Sequence, residues 1–393
     1  MTKQVDLSTN VPASASSEIR PFRIEVPDAV LADLRERLAR TRWPDQIPGT
    51  GWEYGTELAY LKSLCETWRT RYDWRRHEAA LNRWPQFTTT LDGQTLHFVH
   101  ARSAHADAFP LVVTHGWPGS IVEFQKLLPL LVAPPDARDA FHVVCPSLPG
   151  YGFSGPTHER GWDPERIARA EVELMRRLGY ARYGAQGGDW GALVSAWIAK
   201  LDPGHCRGLH LNMLIAPPPP DAKPEALAPE EQQRLARAAS FQSEGTGYQA
   251  IQGTKPQTLA YGLADSPAGL AGWIVEKFRA WSDCGGDVES VFTRDELLTN
   301  LTVYWVTGTI HSSTRLYYEM RKSGRLPFVD GRIEVPTGVA VFPKELYNAP
   351  RAWAERHYDI RHWTVFPAGG HFAALERPDE LAADLRAFFR TVR

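Results

Sequence analysis

The sequence predicts an α/β fold: a mainly parallel sheet, a helical cap inserted into it and a helical extension before it. Three observations carry that reading. From Phe87 onward, short apolar strands alternate with helical segments, the rhythm of a parallel sheet buried on both faces. That rhythm stops after Leu214, gives way to helix, and returns at Val335. Between the two parts, Gly187-Gly188-Asp189-Trp190-Gly191 joins a short strand to a helix, which requires a sharp turn held by small residues.

Each element follows in order. Residues 1–20 read as a flexible tail, polar and small through Ser17. Residues 21–86 read as a helical region packing on the core. In it Val30, Leu31, Leu34 and Leu38 recur every three to four positions, and Leu58 to Trp68 forms a second helix. The core begins at 87 and its first part runs to 215. Phe87–Leu91 and Leu96–Ala101, joined at Asp92-Gly93, read as a hairpin. Leu111–Thr114 and Phe141–Cys145 are apolar strands, with a helix from Ile121 to about Leu131 between them. Ile167–Leu178 is helical, Tyr183–Gln186 a strand and Ala192–Ile198 a helix. The run Pro217–Pro220 leaves the sheet, so residues 216–329 read as the cap. Strands at Val335–Phe342 and Thr364–Phe366 place the second part of the core at 330–393.

Bulk properties are those of a globular enzyme. The chain has 393 residues, 43% hydrophobic and 23% charged, with a net charge of -2. Nothing there points to nucleic acid or to an anionic membrane. The four cysteines, Cys65, Cys145, Cys206 and Cys284, form no metal or disulfide pattern, so buried thiols in a cytoplasmic protein are expected. No apolar run reaches the ~20 residues that span a bilayer. The 14 tryptophans suit an apolar pocket, although most aromatic side chains belong to the core.

The chemistry is read from position 189. Small-x-nucleophile-x-small is the spacing of a nucleophile elbow, and here the apex is an aspartate. A carboxylate is ionised at neutral pH without a base. It acylates poorly but attacks an sp³ carbon that bears a leaving group. Asp189 therefore suggests an alkyl-ester intermediate. As a lone motif it could equally be a glycine-rich turn with a solvated acid, and the flanking strand and helix decide for function.

Its partners follow in the chain order nucleophile, acid, histidine of an α/β-hydrolase fold. Glu345 in Pro343-Lys344-Glu345 and His371 in Gly369-Gly370-His371-Phe372 each follow a strand end. His371 serves as base toward water and Glu345 orients its ring. Most of the 13 histidines are expected to be structural. Glu376 and Asp379 are the competing acids, but they open the last helix, where acids suit the dipole. His115-Gly116-Trp117-Pro118 is a strand-to-helix loop beside the elbow. The N–H groups of Trp117 and Trp190 form an oxyanion hole, and Pro118 can hold a specific turn, a cis peptide included.

With these motifs in this order, the chain resembles the epoxide hydrolases, in particular the microsomal type and its soluble bacterial and fungal relatives. The likeness runs from Pro21 to Arg393 and includes Asp265–Ala271, Tyr304–Thr309 and Gly369–Pro378. It implies two cap tyrosines that hold the epoxide oxygen. Gly247-Tyr248 matches the first and Arg315-Leu316-Tyr317 the second, with Tyr318 adjacent as an alternative. It also supports Glu345, in the matching F-P-K-E-L stretch. Membrane-bound members begin with an apolar anchor that is not seen here, so a soluble protein is expected. The substrate implied is a small hydrophobic epoxide and the product a vicinal diol. No metal or organic cofactor is required, nucleic acid is not a partner, and a homodimer wrapped by the N-terminal segment is an expectation. A haloalkane dehalogenase using the same aspartate, or a non-catalytic receptor on the same fold, are the alternatives.

Overall fold

The computed structural model describes residues 18–393, with nine strands in one sheet among them. They are β1 (Arg20–Phe22), β2 (Gln86–Leu91), β3 (Gln94–Ala101), β4 (Phe109–Thr114), β5 (Phe141–Pro146), β6 (Tyr183–Gly187), β7 (Cys206–Leu211), β8 (Ile333–Val341) and β9 (Tyr358–Val365). Their spatial order is β1-β2-β3-β5-β4-β6-β7-β8-β9. The first three pair antiparallel, and every pairing from β5 to β9 is parallel. The central strands are buried on both faces because helices cover both sides, hence their near-continuous apolar sequences.

Register sets up the site. The order reverses at β4, which has β5 on one side and β6 on the other. Ligands bind outside the carboxyl ends of strands at such a switch point. Thr114 pairs with Gly187, so the chain leaving β4 runs beside the chain leaving β6. Val341 pairs with Val365, and a further bridge joins Lys344 to Gly370. The segments that carry Glu345 and His371 are thus held side by side.

Several elements differ from the expectation. Residues 1–17 of the expected tail lie outside the described residues. Arg20, at its end, is already in a strand, and β1 pairs with β2 at the sheet edge. The region read as helical from Pro21 therefore begins with a strand, followed by helices Asp28–Ala39, Leu58–Thr70 and Trp74–Leu81. The expected helix from Ile121 to Leu131 is two pieces, a 3₁₀ turn at Ile121–Phe124 and an α-helix at Leu127–Val132. The last two strands start earlier than expected, at Ile333 and Tyr358. All four cysteines are free and buried.

The helical extension was expected on the core, yet its bonds run largely to the inserted helices. Trp68 Nε1 donates to Thr302 Oγ1 (2.9 Å), Tyr72 and Thr299 share a hydroxyl bond (3.0 Å), and Thr56 Oγ1 donates to the Gly272 carbonyl (2.7 Å). Those partners lie on Pro267–Trp281 and Arg294–Thr307. The second of these begins with a reciprocal cap between Thr293 and Glu296, which satisfies otherwise orphaned N–H groups. Among the described residues, no helix is long and apolar enough to cross a membrane.

Candidate active site

β6 ends at Gly187, and Trp190–Leu201 begins the next helix. Asp189 bridges them with φ 51° and ψ -130°, a conformation that costs a non-glycine residue energy and so needs its surroundings to hold it. Close packing does so. A Cβ at Gly187 would fall on the Gly191 carbonyl, and one at Gly191 on the Thr114 carbonyl. The helix behind is buried along nearly its whole length, including Gly191–Ala196, Ile198 and Ala199. The strained turn is therefore anchored by core packing, and it lifts the Asp189 carboxylate above the sheet edge.

The loop after β4 meets that carboxylate. The Trp117 N–H donates to Asp189 Oδ1 at 2.7 Å. A Cβ at Gly116 would run into the same carboxylate, so only glycine allows the approach. The Trp117–Pro118 peptide is cis. His115 secures the loop: Nδ1 bonds the Gly116 carbonyl (2.9 Å), and Nε2 accepts from the Leu148 N–H (3.2 Å). That pairing suits a neutral imidazole, and burial pushes the His115 pKa down to about 4. From above, Asn300 Nδ2 donates to the Pro118 carbonyl (2.8 Å) and Tyr304 to the Gly119 carbonyl (2.7 Å). The loop is thus clamped by the helix Arg294–Thr307, a role that the sequence reading did not give to Asn300 or Tyr304.

On the other side stands His371. Its Nδ1 bonds Glu345 Oε1 at 2.6 Å, and its Nε2 lies 3.3 Å from Asp189 Oδ2. Glu345 Oε1 also accepts the Leu346 N–H (2.7 Å), which fixes its direction. Glu376, the competing acid, instead accepts the N–H groups of Asp283 (2.9 Å) and Phe372 (3.0 Å). The histidine loop is pinned to the cap, since the His371 N–H donates to the Trp281 carbonyl at 2.9 Å. Burial alone would drive His371 toward its neutral form. The Glu345 and Asp189 carboxylates outweigh that and hold its pKa well above the usual value.

Aromatic side chains roof the carboxylate. Tyr248 stacks on Trp117 with ring centroids 5.2 Å apart, and Tyr317 stands edge-on to Trp190 at 4.8 Å. The two tyrosine rings are 5.8 Å apart. Tyr248 Oη accepts from Gln249 Nε2 (3.0 Å), which leaves its proton free to be donated. The buried Tyr317 hydroxyl has no hydrogen-bond partner among the described residues, a state that calls for an explanation in a folded chain. Burial is the main cause that pushes both phenols up, with the charge of Asp189 among the further causes, so both stay protonated. Tyr318 faces elsewhere, under the Lys322 ammonium at 5.5 Å. Asp189, His371, Glu345, Tyr248, Tyr317, Trp117 and Trp190 therefore converge, and Tyr318 does not join them.

A family model described as "Epoxide hydrolase N terminus" matches residues 19–124, and one described as "alpha/beta hydrolase fold" matches 110–270. A Stigmatella aurantiaca protein carrying an epoxide hydrolase name is 50% identical over 381 residues, covering 95% of this chain and 86% of that protein. "Epoxide hydrolase 1" of Sus scrofa is 37% identical, covering 96% and 90%. Among solved structures, the juvenile hormone epoxide hydrolase of the silkworm Bombyx mori matches with TM-score 0.90 and 33% identity, over 96% of each chain.

Proposed function

The chain belongs to the epoxide hydrolases of the α/β-hydrolase fold, and from that premise we propose that it turns an epoxide and water into a vicinal diol through an ester on Asp189. One observation carries the residue assignment. The Asp189 carboxylate lies between a backbone donor at 2.7 Å and an imidazole nitrogen at 3.3 Å, beneath two protonated tyrosines.

An epoxide oxygen under the roof accepts hydrogen bonds from Tyr248 and Tyr317. Asp189 attacks the adjacent ring carbon, the C–O bond breaks, and a tyrosine proton passes to the departing oxygen. Without that proton the alkoxide is a poor leaving group. While Asp189 is charged, two carboxylates keep His371 protonated. Esterification removes one of those charges, so the imidazole gives up its proton and the tyrosinate takes one up, which leaves both groups neutral. Neutral His371 then takes a proton from water as the water oxygen attacks Asp189 Cγ. The N–H groups of Trp117 and Trp190 stabilise the tetrahedral oxyanion; as it collapses, the bond from Cγ to the diol oxygen breaks, that oxygen takes the proton back from His371, and the new Asp189 carboxyl ionises to reprotonate the imidazole.

The aromatic roof favours a hydrophobic epoxide, whose apolar body is stabilised by contact with ring faces. The likeness over at least 95% of the chain favours this reading over a dehalogenase or a receptor. A homodimer and a cytoplasmic location belong to the same proposal, tested by sedimentation and by cell fractionation. The decisive experiment is multiple turnover of styrene oxide in ¹⁸O water, followed by mass analysis of the peptide bearing Asp189. Label enters its carboxyl if water attacks the ester carbonyl. Diol formed with no label there overturns the mechanism.

A further inference from the structure

A small cavity adjoins the Asp189 carboxylate, lined by Gly116, Trp117, Glu123, Gly188 and His371 among others. Its volume is about 20 Å³, room for a single water. Asp189 and His371 belong to the chemistry described above. Glu123 has no part in it so far.

Glu123 lies on the 3₁₀ turn Ile121–Phe124, just past the His115–Ser120 loop. Its side chain folds back toward the site rather than out to solvent. A Cβ at Gly119 would fall on Glu123 Oε1, so glycine at 119 leaves the space that the carboxyl fills. Half-buried, this carboxyl takes no hydrogen bond from the described residues. Burial pushes its pKa up to about 8; His371 opposes the rise, while Asp189 and Glu345 reinforce it. Near neutral pH it is a protonated acid with a free carbonyl oxygen, facing a cavity the size of one water.

A hydrolytic water has two hydrogens to place. One points at His371 Nε2, the atom that removes it. The second needs an acceptor, or the water rotates and its lone pair leaves the line to the ester carbon. Resting on the ester reading above, we propose that Glu123 is a positioning residue that accepts this second hydrogen and aims the water at Asp189 Cγ. In the step itself the water oxygen bonds to Cγ, its proton goes to His371, and the bond from Cγ to the diol oxygen breaks. Glu123 gains and loses nothing.

Rapid-quench kinetics with styrene oxide separates the two half-reactions. In Glu123→Ala, ester formation stays within about threefold of the parent while ester hydrolysis slows about tenfold or more, the worth of one lost hydrogen bond in a dry site. Glu123→Gln keeps an acceptor oxygen and restores hydrolysis to within about threefold. Gly119→Ala displaces the carboxyl without removing it and gives the same split as Glu123→Ala, so the test survives if the first variant fails to fold. Hydrolysis at the parent rate in folded Glu123→Ala or Gly119→Ala overturns the proposal, as does equal slowing of both half-reactions. Absence of any ester in His371→Gln is a different failure, because it removes the ester reading itself.

Discussion

The Trp117 N–H donates to Asp189 Oδ1 at 2.7 Å, while Asp189 Oδ2 faces His371 at 3.3 Å. The two oxygens of one carboxylate are thus already distinguished in the resting protein. In the proposed mechanism the oxygen held by the backbone becomes the ester carbonyl, so the oxyanion of the second step would form where its donor already waits. Such preorganisation leaves little reorganisation to the moment of reaction.

His371→Gln tests that division of labour. Nothing in ring opening requires the imidazole as a base, so the variant should still form the ester. Loss of a positioned general base costs about 10²–10⁴ in rate, and that loss should fall on hydrolysis alone. Intact-protein mass spectrometry should show one adduct per chain, on Asp189, building up within the first turnover. Turnover at the parent rate would exclude His371 as the base.

Much of this site was legible in the sequence, for a physical reason. An elbow needs small residues at fixed places, and Gly187 and Gly191 could be read from spacing because the backbone permits nothing larger there. Strand-end residues such as Glu345 and His371 follow from the rule that parallel strands present one common edge. What could not be read depends on distant packing. β1 is three residues with little burial, and only its pairing with β2 makes it a strand. Glu123 looks like an ordinary acid at the start of a helix, and only the fold-back over Gly119 distinguishes it. Asn300 and Tyr304 sit on a helix buried all round from Leu297 to Tyr304, so no periodicity marks the face that clamps the loop.

In the proposed mechanism Tyr248 and Tyr317 share the first half-reaction. Phenylalanine at 248 keeps the stack on Trp117, and phenylalanine at 317 keeps the edge contact with Trp190, so both variants should fold. The double variant should lose about 10²–10⁴ of the ester-forming rate, the range for a positioned acid. Each single variant should lose less, because the other hydroxyl remains. Stopped-flow quenching of tryptophan fluorescence on substrate addition reports the step, and unimpaired ester formation in the double variant would remove the tyrosines from the mechanism.

Gly116→Ala probes the approach of loop and carboxylate. The added methyl would occupy the place of the Asp189 carboxylate. Overpacking of this kind costs about 1–3 kcal/mol, a loss of stability that thermal denaturation would register. The larger effect should be chemical, since the carboxylate must leave its donor or the loop must shift. Ester formation should fall by at least about tenfold, as a displacement near 1 Å at a reacting centre costs up to about 10². A variant with parent kinetics would show that the 2.7 Å contact is dispensable.

Glu171 offers a prediction about pH that is independent of catalysis. It lies beneath the sheet, fully buried, and Thr114 at the end of β4 donates to its Oε2 at 2.7 Å. Burial pushes its pKa up to about 8 from the usual 4.5, against a smaller lowering by the Thr114 bond. Below pH 4.5 the group is protonated in both the folded and the unfolded chain, and its contribution to stability is fully present. Above that, the unfolded chain releases a proton that the folded chain retains, so stability falls as pH rises, by up to about 1.4 kcal/mol per pH unit. The decline ends near pH 8, where the folded carboxyl ionises as well. Glu171→Gln keeps an oxygen to accept the Thr114 hydroxyl and has nothing to ionise. Denaturant midpoints measured from pH 5 to pH 9 should therefore fall less steeply in this variant than in the parent, and parallel curves would show that Glu171 ionises at the same pH whether the chain is folded or not.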